Sequence, residues 1–446
     1  MAFSRHTGTL AILVAVAIVA VAAAAAMRGN DASPPHRRPQ KVQAEPGRLL
    51  RGEYLARAAD CAACHQVEGG QAYAGGYPLR TPFGTIYGTN ITPDPDHGIG
   101  RWTADEFHRA LTEGKAPRGR NLYPAMPYTA YHAMSREDAD LIYAYLMNQR
   151  PSPRPNREPD IPFPLDLRVL MWGWNLLFFD RDPLPAASRG QSPQWLRGQY
   201  LVNVLGHCAE CHTPRGRLGQ LQRDYWLQGY ALGRYMAPDI TPEGLARNGW
   251  NAADLQRFMR TGLAPQAVAS DEMYPVIVHS SRYLGDEDLA AMTTFLLGDA
   301  ASGAGPDTRA PARTPPQESP GKTADQPAPA APPGADGQQV EPGRQTYLNL
   351  CAGCHGAQGE GRPGTMPALA GNTSLRMEDP RNLIMAVLHG FPGNVMPGAT
   401  TFSPMPGFSR RLDDREVAGL ANYLRTQWGG QSADVTAEEV RGLRAQ

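Results

Sequence analysis

Three stretches of the chain place apolar residues every three or four positions, the spacing of one helix face. In the first, Leu141, Ile142, Tyr145 and Leu146 follow Ser135-Arg136-Glu137-Asp138, which resembles a capping box. Asp286 to Leu297 and Asp413 to Gln427 repeat the pattern. Each run carries a late aromatic–Leu pair: Tyr145-Leu146, Phe295-Leu296 and Tyr423-Leu424. A shorter helix is expected well upstream of each. Two terminal helices that cross make the expected fold class all-α, in three tandem domains.

A different pattern opens the chain. Behind Arg5 and His6, Leu10 to Met27 is uninterruptedly apolar. The run is longer than the ~7–15 residues of a signal-peptide core and just long enough for a membrane span. Small residues around Ala22–Ala26 permit cleavage, so the segment is read as an export signal or a membrane anchor. The layout expected is 1–28 signal or anchor, 29–46 linker, 47–150 first domain, 151–190 inter-domain segment and 191–299 second domain. A disordered linker over 300–340, a third domain over 341–430 and a tail over 431–446 complete it. The 300–340 stretch is rich in Ala, Pro and Gly with almost no large apolar side chains. It cannot bury enough surface to offset its ordering entropy, which predicts a third domain that moves as a tethered unit.

The chain has 446 residues, enough for two to four domains at ~100–200 residues each. Lys plus Arg and Asp plus Glu are both 43, and this balance argues against nucleic acid as a partner. The six cysteines are too few for a disulfide scaffold. All of them fall in three copies of C-x-x-C-H: Cys61 and Cys64 with His65, Cys208 and Cys211 with His212, Cys351 and Cys354 with His355. This is the attachment signature of c-type haem. Two thiols on one helical turn can each add to a haem vinyl group, and the next imidazole then reaches the iron. A zinc site would need further cysteines or histidines, and a redox dithiol has no use for the histidine. Three covalently bound haem c groups are therefore expected, attached outside the cytoplasm.

The first two copies align well beyond the motif. Arg51-Gly52-Glu53-Tyr54-Leu55 matches Arg197-Gly198-Gln199-Tyr200-Leu201, and Asn90-Ile91-Thr92-Pro93 matches Asp239-Ile240-Thr241-Pro242. Each is followed by a Trp and by a helical stretch ending at Gly114 or Gly262. A second axial ligand decides between electron transfer and catalysis. Met126 lies 61 residues after His65, and Met273 lies 61 after His212. In the third copy Met405, in Ser-Pro-Met-Pro-Gly-Phe, is preferred because it stands just before the last helix; Met396 is its rival. Glu210, inside the second motif, predicts that the second haem titrates below at least one neighbour.

Arg51 to His65, Thr81 to Tyr87 with Thr89 to Asp94, Tyr123-Pro124-Ala125-Met126-Pro127-Tyr128 and Leu201 to Gly216 resemble the triheme cytochrome c subunit of membrane-bound bacterial dehydrogenases, of the alcohol, gluconate and sorbitol type. The resemblance covers residues 47–298 closely and 341–428 more loosely. It implies class I cytochrome c-like domains and a separate catalytic dehydrogenase subunit of PQQ, flavin or molybdenum type. Electrons would pass through this chain to ubiquinone or another respiratory acceptor at the periplasmic face of the membrane. The chain would then be no enzyme by itself, and it carries no nucleotide-binding fingerprint in a βαβ context. The alternatives are a multihaem peroxidase-like enzyme and a free-standing periplasmic electron shuttle. The apolar run Leu165 to Phe179 reads as an inter-domain packing segment, with a membrane or partner patch as its rival.

Overall fold

The computed structural model describes residues 42–181, 191–298, 337–393, 395–397, 400–401 and 403–445. The apolar N-terminal run, residues 29–41 of the following linker, and 299–336 of the Ala/Pro/Gly stretch lie outside them. The chain divides into two compact units, one of residues 1–186 with 200–207, the other of 187–199 with 208–446. The second and third cysteine motifs share the second unit.

In the first unit, Pro46 sets the opening turn of α1 (Pro46–Ala58), where its missing N–H costs nothing. Asp60, at φ 51°, breaks direction, and α2 (Cys61–His65) carries the first motif. Strands β1 (Pro78–Thr81) and β2 (Gly84–Tyr87) form an antiparallel hairpin with Thr81 opposite Gly84. Helix α3 (Ala104–Glu113) starts at a reciprocal capping box between Thr103 and Glu106 and stops at the left-handed Gly114. After a short α4 (Tyr128–Tyr131), Ser135 caps α5 (Arg136–Met147) by accepting from the Asp138 N–H. The Pro-rich stretch after α5 does more than separate domains. Asp160 exchanges two backbone hydrogen bonds with Thr85, and the Asn90 amide donates to the carbonyls of Ser152 and Arg154. Helix α6 (Leu170–Phe178) buries no residue. Asn175 accepts from the Tyr128 hydroxyl at 2.6 Å, while Trp172, Leu176 and Leu177 stay open.

The chain resumes in α7 (Pro193–Tyr200), followed by one π turn and then α8 (Ala209–His212) with the second motif. A hairpin of β3 (Tyr230–Leu232) and β4 (Tyr235–Ala237) precedes α9 (Pro242–Arg247) and α10 (Ala252–Thr261), which ends at the left-handed Gly262. A tighter hairpin of β5 (Leu263–Ala264) and β6 (Ala267–Val268) leads to α11 (Met273–His279) and α12 (Asp286–Leu297). In the third copy, α13 (Gly337–Leu350) begins within the last residues read as linker and runs into α14 (Ala352–His355). Helices α15 (Thr373–Arg376) and α16 (Arg381–His389) are followed by four two-residue strands: β7 (Gly390–Phe391), β8 (Val395–Met396), β9 (Thr400–Thr401) and β10 (Met405–Pro406). β10 pairs with β7, and β8 with β9. Helix α17 (Asp414–Leu424) opens on a capping box of Asp413 and Glu416. The stretch read as a tail folds into α18 (Ala437–Arg444), which buries Val440 and Leu443. The architecture is thus mostly helical, with five small antiparallel pairs among the described residues that an all-α reading did not contain.

The expected crossing of terminal helices occurs three times, each at a glycine. A Cβ on Gly52 would stand 2.2 Å from the Leu141 carbonyl oxygen. One on Gly198 would stand 2.0 Å from that of Ala291, and one on Gly343 2.0 Å from that of Gly419. α1 meets α5, α7 meets α12 and α13 meets α17 backbone to backbone. Within the second unit the third copy is also fastened to the second. The Asn382 side chain accepts from the Met236 N–H and donates to its carbonyl, and Thr373 N–H donates to the Gln266 carbonyl. Tyr235 stacks on Phe391 at 5.9 Å. These ties hold the third copy against the second, an interface that the linker's composition carries no information about.

Candidate functional site

The three motif histidines are held in one way. His65 Nδ1 lies 2.6 Å from the Thr89 carbonyl oxygen, His212 Nδ1 2.7 Å from that of Pro238, and His355 Nδ1 3.0 Å from that of Pro367. A carbonyl only accepts, so Nδ1 carries the proton and Nε2 keeps its lone pair. Burial lowers the pKa of all three imidazoles, partly offset by the carbonyl hydrogen bond, and favours the neutral ring a metal requires. The histidine backbone is fixed too: its carbonyl accepts from Gly75 N–H in the first copy, Gly229 in the second and Gly361 in the third, at 2.7, 2.7 and 2.8 Å. Each of these glycines lies against the backbone that presents the Nδ1 partner.

The acceptor carbonyls were invisible in the sequence, although their frame was flagged by the repeat. Asn90 Oδ1 accepts from the Thr92 N–H and hydroxyl at 3.0 and 2.7 Å. Asp239 Oδ1 accepts from the Thr241 N–H and hydroxyl at 2.9 and 2.6 Å. The repeated Asn/Asp-Ile-Thr-Pro segment is thus an Asx turn that rigidifies the carbonyl one residue before it. The third copy lacks the segment and uses Pro367, on a loop closed by the Arg362–Met366 bridge.

No disulfide joins the two cysteines of any copy. Burial and the adjacent Asp60 charge push Cys61 up to about 12, and burial with the Cys354 charge pushes Cys351 to about 11. Such thiols stay protonated at neutral pH, unlike the activated thiolate of a redox dithiol. Among the described residues, no three His, Cys, Asp or Glu side chains gather into a cage for a metal ion. Two cysteines one turn apart and not in a disulfide, beside one neutral imidazole whose Nε2 keeps its lone pair, fit covalent haem.

The methionines fall as follows. Met126 is half-buried in a turn where its N–H donates to the Tyr123 carbonyl. Met273 heads α11, also half-buried. The two rivals in the third copy part company. Met405, in β10, packs on the apolar core that also takes Cys351 and Trp428. Met396 is 2% exposed, and its sulfur sits at Gly262 of the second copy.

Glu210 is not an isolated charge. Arg215 donates to the Glu210 carboxylate at 2.5 Å and to the Glu210 backbone carbonyl at 2.8 Å. The pair presents a dipole where the sequence suggested a lone negative charge. In redox titrations Arg215→Gln is expected to lower one midpoint by tens of millivolts, roughly, and Glu210→Gln to raise the same one. The double variant should return it near its starting value; two separate midpoints responding would mean that the pair does not act on one iron.

A family model described as cytochrome c matches residues 49–150 and 340–428, so the class is c-type cytochrome and haem c its cofactor. The chain is 36% identical over 422 residues to the alcohol dehydrogenase (quinone) cytochrome c subunit of Gluconacetobacter polyoxogenes, covering 91% of this chain and 86% of that one. It is 38% identical over 421 residues to the gluconate 2-dehydrogenase cytochrome c subunit of Pantoea cypripedii, covering 90% of each. The fructose dehydrogenase cytochrome subunit of Gluconobacter japonicus is 35% identical over 417 residues, covering 91% and 85%. The chain belongs to this family of dehydrogenase cytochrome c subunits.

Proposed function

We propose that this chain is a three-haem electron conduit, accepting electrons from a catalytic dehydrogenase subunit and delivering them to ubiquinone or another respiratory acceptor. The observation that carries the reading is the threefold recurrence of one arrangement: a C-x-x-C-H helix, an Nδ1 proton on a backbone carbonyl and a glycine tether on the histidine backbone. Cys61 and Cys64, Cys208 and Cys211, and Cys351 and Cys354 would attach the haems. His65, His212 and His355 would each give one axial bond, and Met126, Met273 and Met405 the other. Bound haem iron supplies one-electron chemistry between its ferric and ferrous states. The chain's own part is to fix each imidazole as a neutral ligand and to hold the methionine loops. The relatives leave the partner's substrate and its cofactor, whether PQQ, flavin or molybdenum, open.

Location follows from two features. The apolar run Leu10–Met27 would export the chain and place it at the periplasmic face of the membrane. Among the described residues no helix is long and apolar enough to cross a membrane. Helix α6 offers Trp172, Leu176 and Leu177, with Phe163 nearby in sequence, as an apolar surface suited to lying against a bilayer or a membrane partner.

Mass measurement of the denatured protein tests the core of the proposal, with three haem additions per chain as the expected result. Two or fewer would remove a motif from the conduit. Stoichiometric carbon monoxide binding at one reduced haem of the native protein would favour the peroxidase-like alternative.

A further inference from the structure

The first and second copies close the same corner with different residues. In the first, α3 stops at Gly114, and a Cβ there would meet the Tyr128 ring at 2.7 Å. Tyr128 is fully buried and stands two residues after Met126. In the second, α10 stops at Gly262, but the residue two after Met273 is Pro275, with no aromatic ring to fill the corner. The nearest atom to a Cβ on Gly262 is instead the Met396 sulfur at 3.0 Å, followed by Ala269 Cβ at 3.3 Å and Ile277 Cγ2 at 3.5 Å.

Those neighbours bracket the ligand loop. The Gly262 carbonyl accepts from Ala269 N–H at 2.8 Å, and Met273 N–H donates to the Ser270 carbonyl at 3.1 Å. Ile277 lies one turn into the helix that Met273 opens. Ala269 and Ile277 therefore stand on either side of Met273 in sequence, and Met396 touches the corner between them. The third copy can hold that sulfur in place because Asn382 and Thr373 already fasten it to the second.

We propose that Met396, read from sequence as a rival haem ligand of the third copy, is a positioning residue for the second. Its thioether takes, at the Gly262 corner, the place that Tyr128 takes at Gly114 in the first copy, and it keeps the Met273 loop pressed toward its iron. The inference rests on Met273 being the second haem's ligand. It makes the second site depend on a residue more than a hundred positions downstream. A core sulfur suits this corner: methionine is unbranched and adapts to an irregular gap.

The test uses the full-length haem-loaded protein and reads carbon monoxide binding to the reduced form, the methionine-to-ferric charge-transfer band and the three midpoints. Met396→Leu, which fills a similar volume without sulfur, is expected to leave all three readouts as in the wild type. Met396→Ala is expected to raise carbon monoxide binding at one site several-fold and to weaken the charge-transfer band by up to one haem's share. Combining Met396→Ala with Met273→Leu should open no further site, whereas combining it with Met405→Leu should open a second. Loss of a charge-transfer share in Met396→Leu would make Met396 a ligand and overturn the proposal. So would a Met396→Ala protein whose readouts are all unchanged. A Met273→Leu protein that binds no carbon monoxide would instead remove the ligand assignment beneath the proposal, which separates the two failures.

Discussion

Replacing Met405 with leucine is expected to open one iron to carbon monoxide and to lower one midpoint on the order of a hundred millivolts, while the fold persists. Axial ligands tune haem potentials over roughly 0.8 V, and loss of the thioether removes a ligand that favours the ferrous state. Leucine and methionine have similar volumes, so the packing cost should stay below about 1.5 kcal/mol. That cost is spread over a large core: Met405 packs on the cluster of Tyr347, Leu388, Val417, Leu420 and Leu424. The backbone pairing of Met405 with Phe391 does not involve the side chain and survives the change. Reductive titration with carbon monoxide difference spectra checks both halves. Three sites that all still exclude carbon monoxide would show that the third iron takes its ligand elsewhere.

The second large effect concerns stability. Gly198→Ala and Gly343→Ala each place a Cβ 2.0 Å from a backbone carbonyl oxygen of the crossing helix. Neither neighbour is a side-chain end that can turn away, so the helices must part. A loss of about 3 kcal/mol or more is expected, at the upper end of overpacking costs. The control is another helical glycine. Gly442, inside α18, has nothing within 4 Å of its Cβ position, so alanine there should stabilise by up to about 1 kcal/mol through helix propensity. Opposite signs in thermal unfolding for the same Gly→Ala change are the expected signature. Equal, small shifts at both kinds of site would mean that the crossings are looser than their backbone distances imply.

What the sequence disclosed depended on how local each signal was. The helix from Asp286 to Leu297 has the bounds its periodicity predicts, because an acidic first turn and an apolar face are local properties. At the third copy, periodicity ran to Gln427 but the α-helix ends at Leu424 and continues as a π turn. The glycines of the Arg-Gly-x-Tyr-Leu repeat were visible, but their partners Leu141 and Ala291 lie about ninety positions away. Strands of two residues have too few positions to show an alternating pattern, so four of the five pairs' strands, at two or three residues each, left no trace. Arg215 lay five residues from Glu210, within sight, yet only its fold-back made the ion pair. Met396 and Met405 share the same Met-Pro dipeptide. Only its position just before the last helix favoured Met405 in the sequence; which core each one enters is a tertiary property that spacing does not carry.

The carbonyl partners of the three imidazoles have one more consequence, for speed. A carboxylate in that place could trade the Nδ1 proton as the iron changes charge, and each electron would then wait on a proton. The backbone oxygens of Thr89, Pro238 and Pro367 have no accessible protonated form, so the shared hydrogen would stay with the ring if a bound haem were oxidised or reduced. If each histidine holds a haem iron as proposed, electron arrival at its side would be uncoupled from acid–base chemistry. Hopping through such a relay would then carry no solvent isotope effect from the histidine ligands, and acidification of the surrounding compartment would leave the hydrogen bonds at Nδ1 in place.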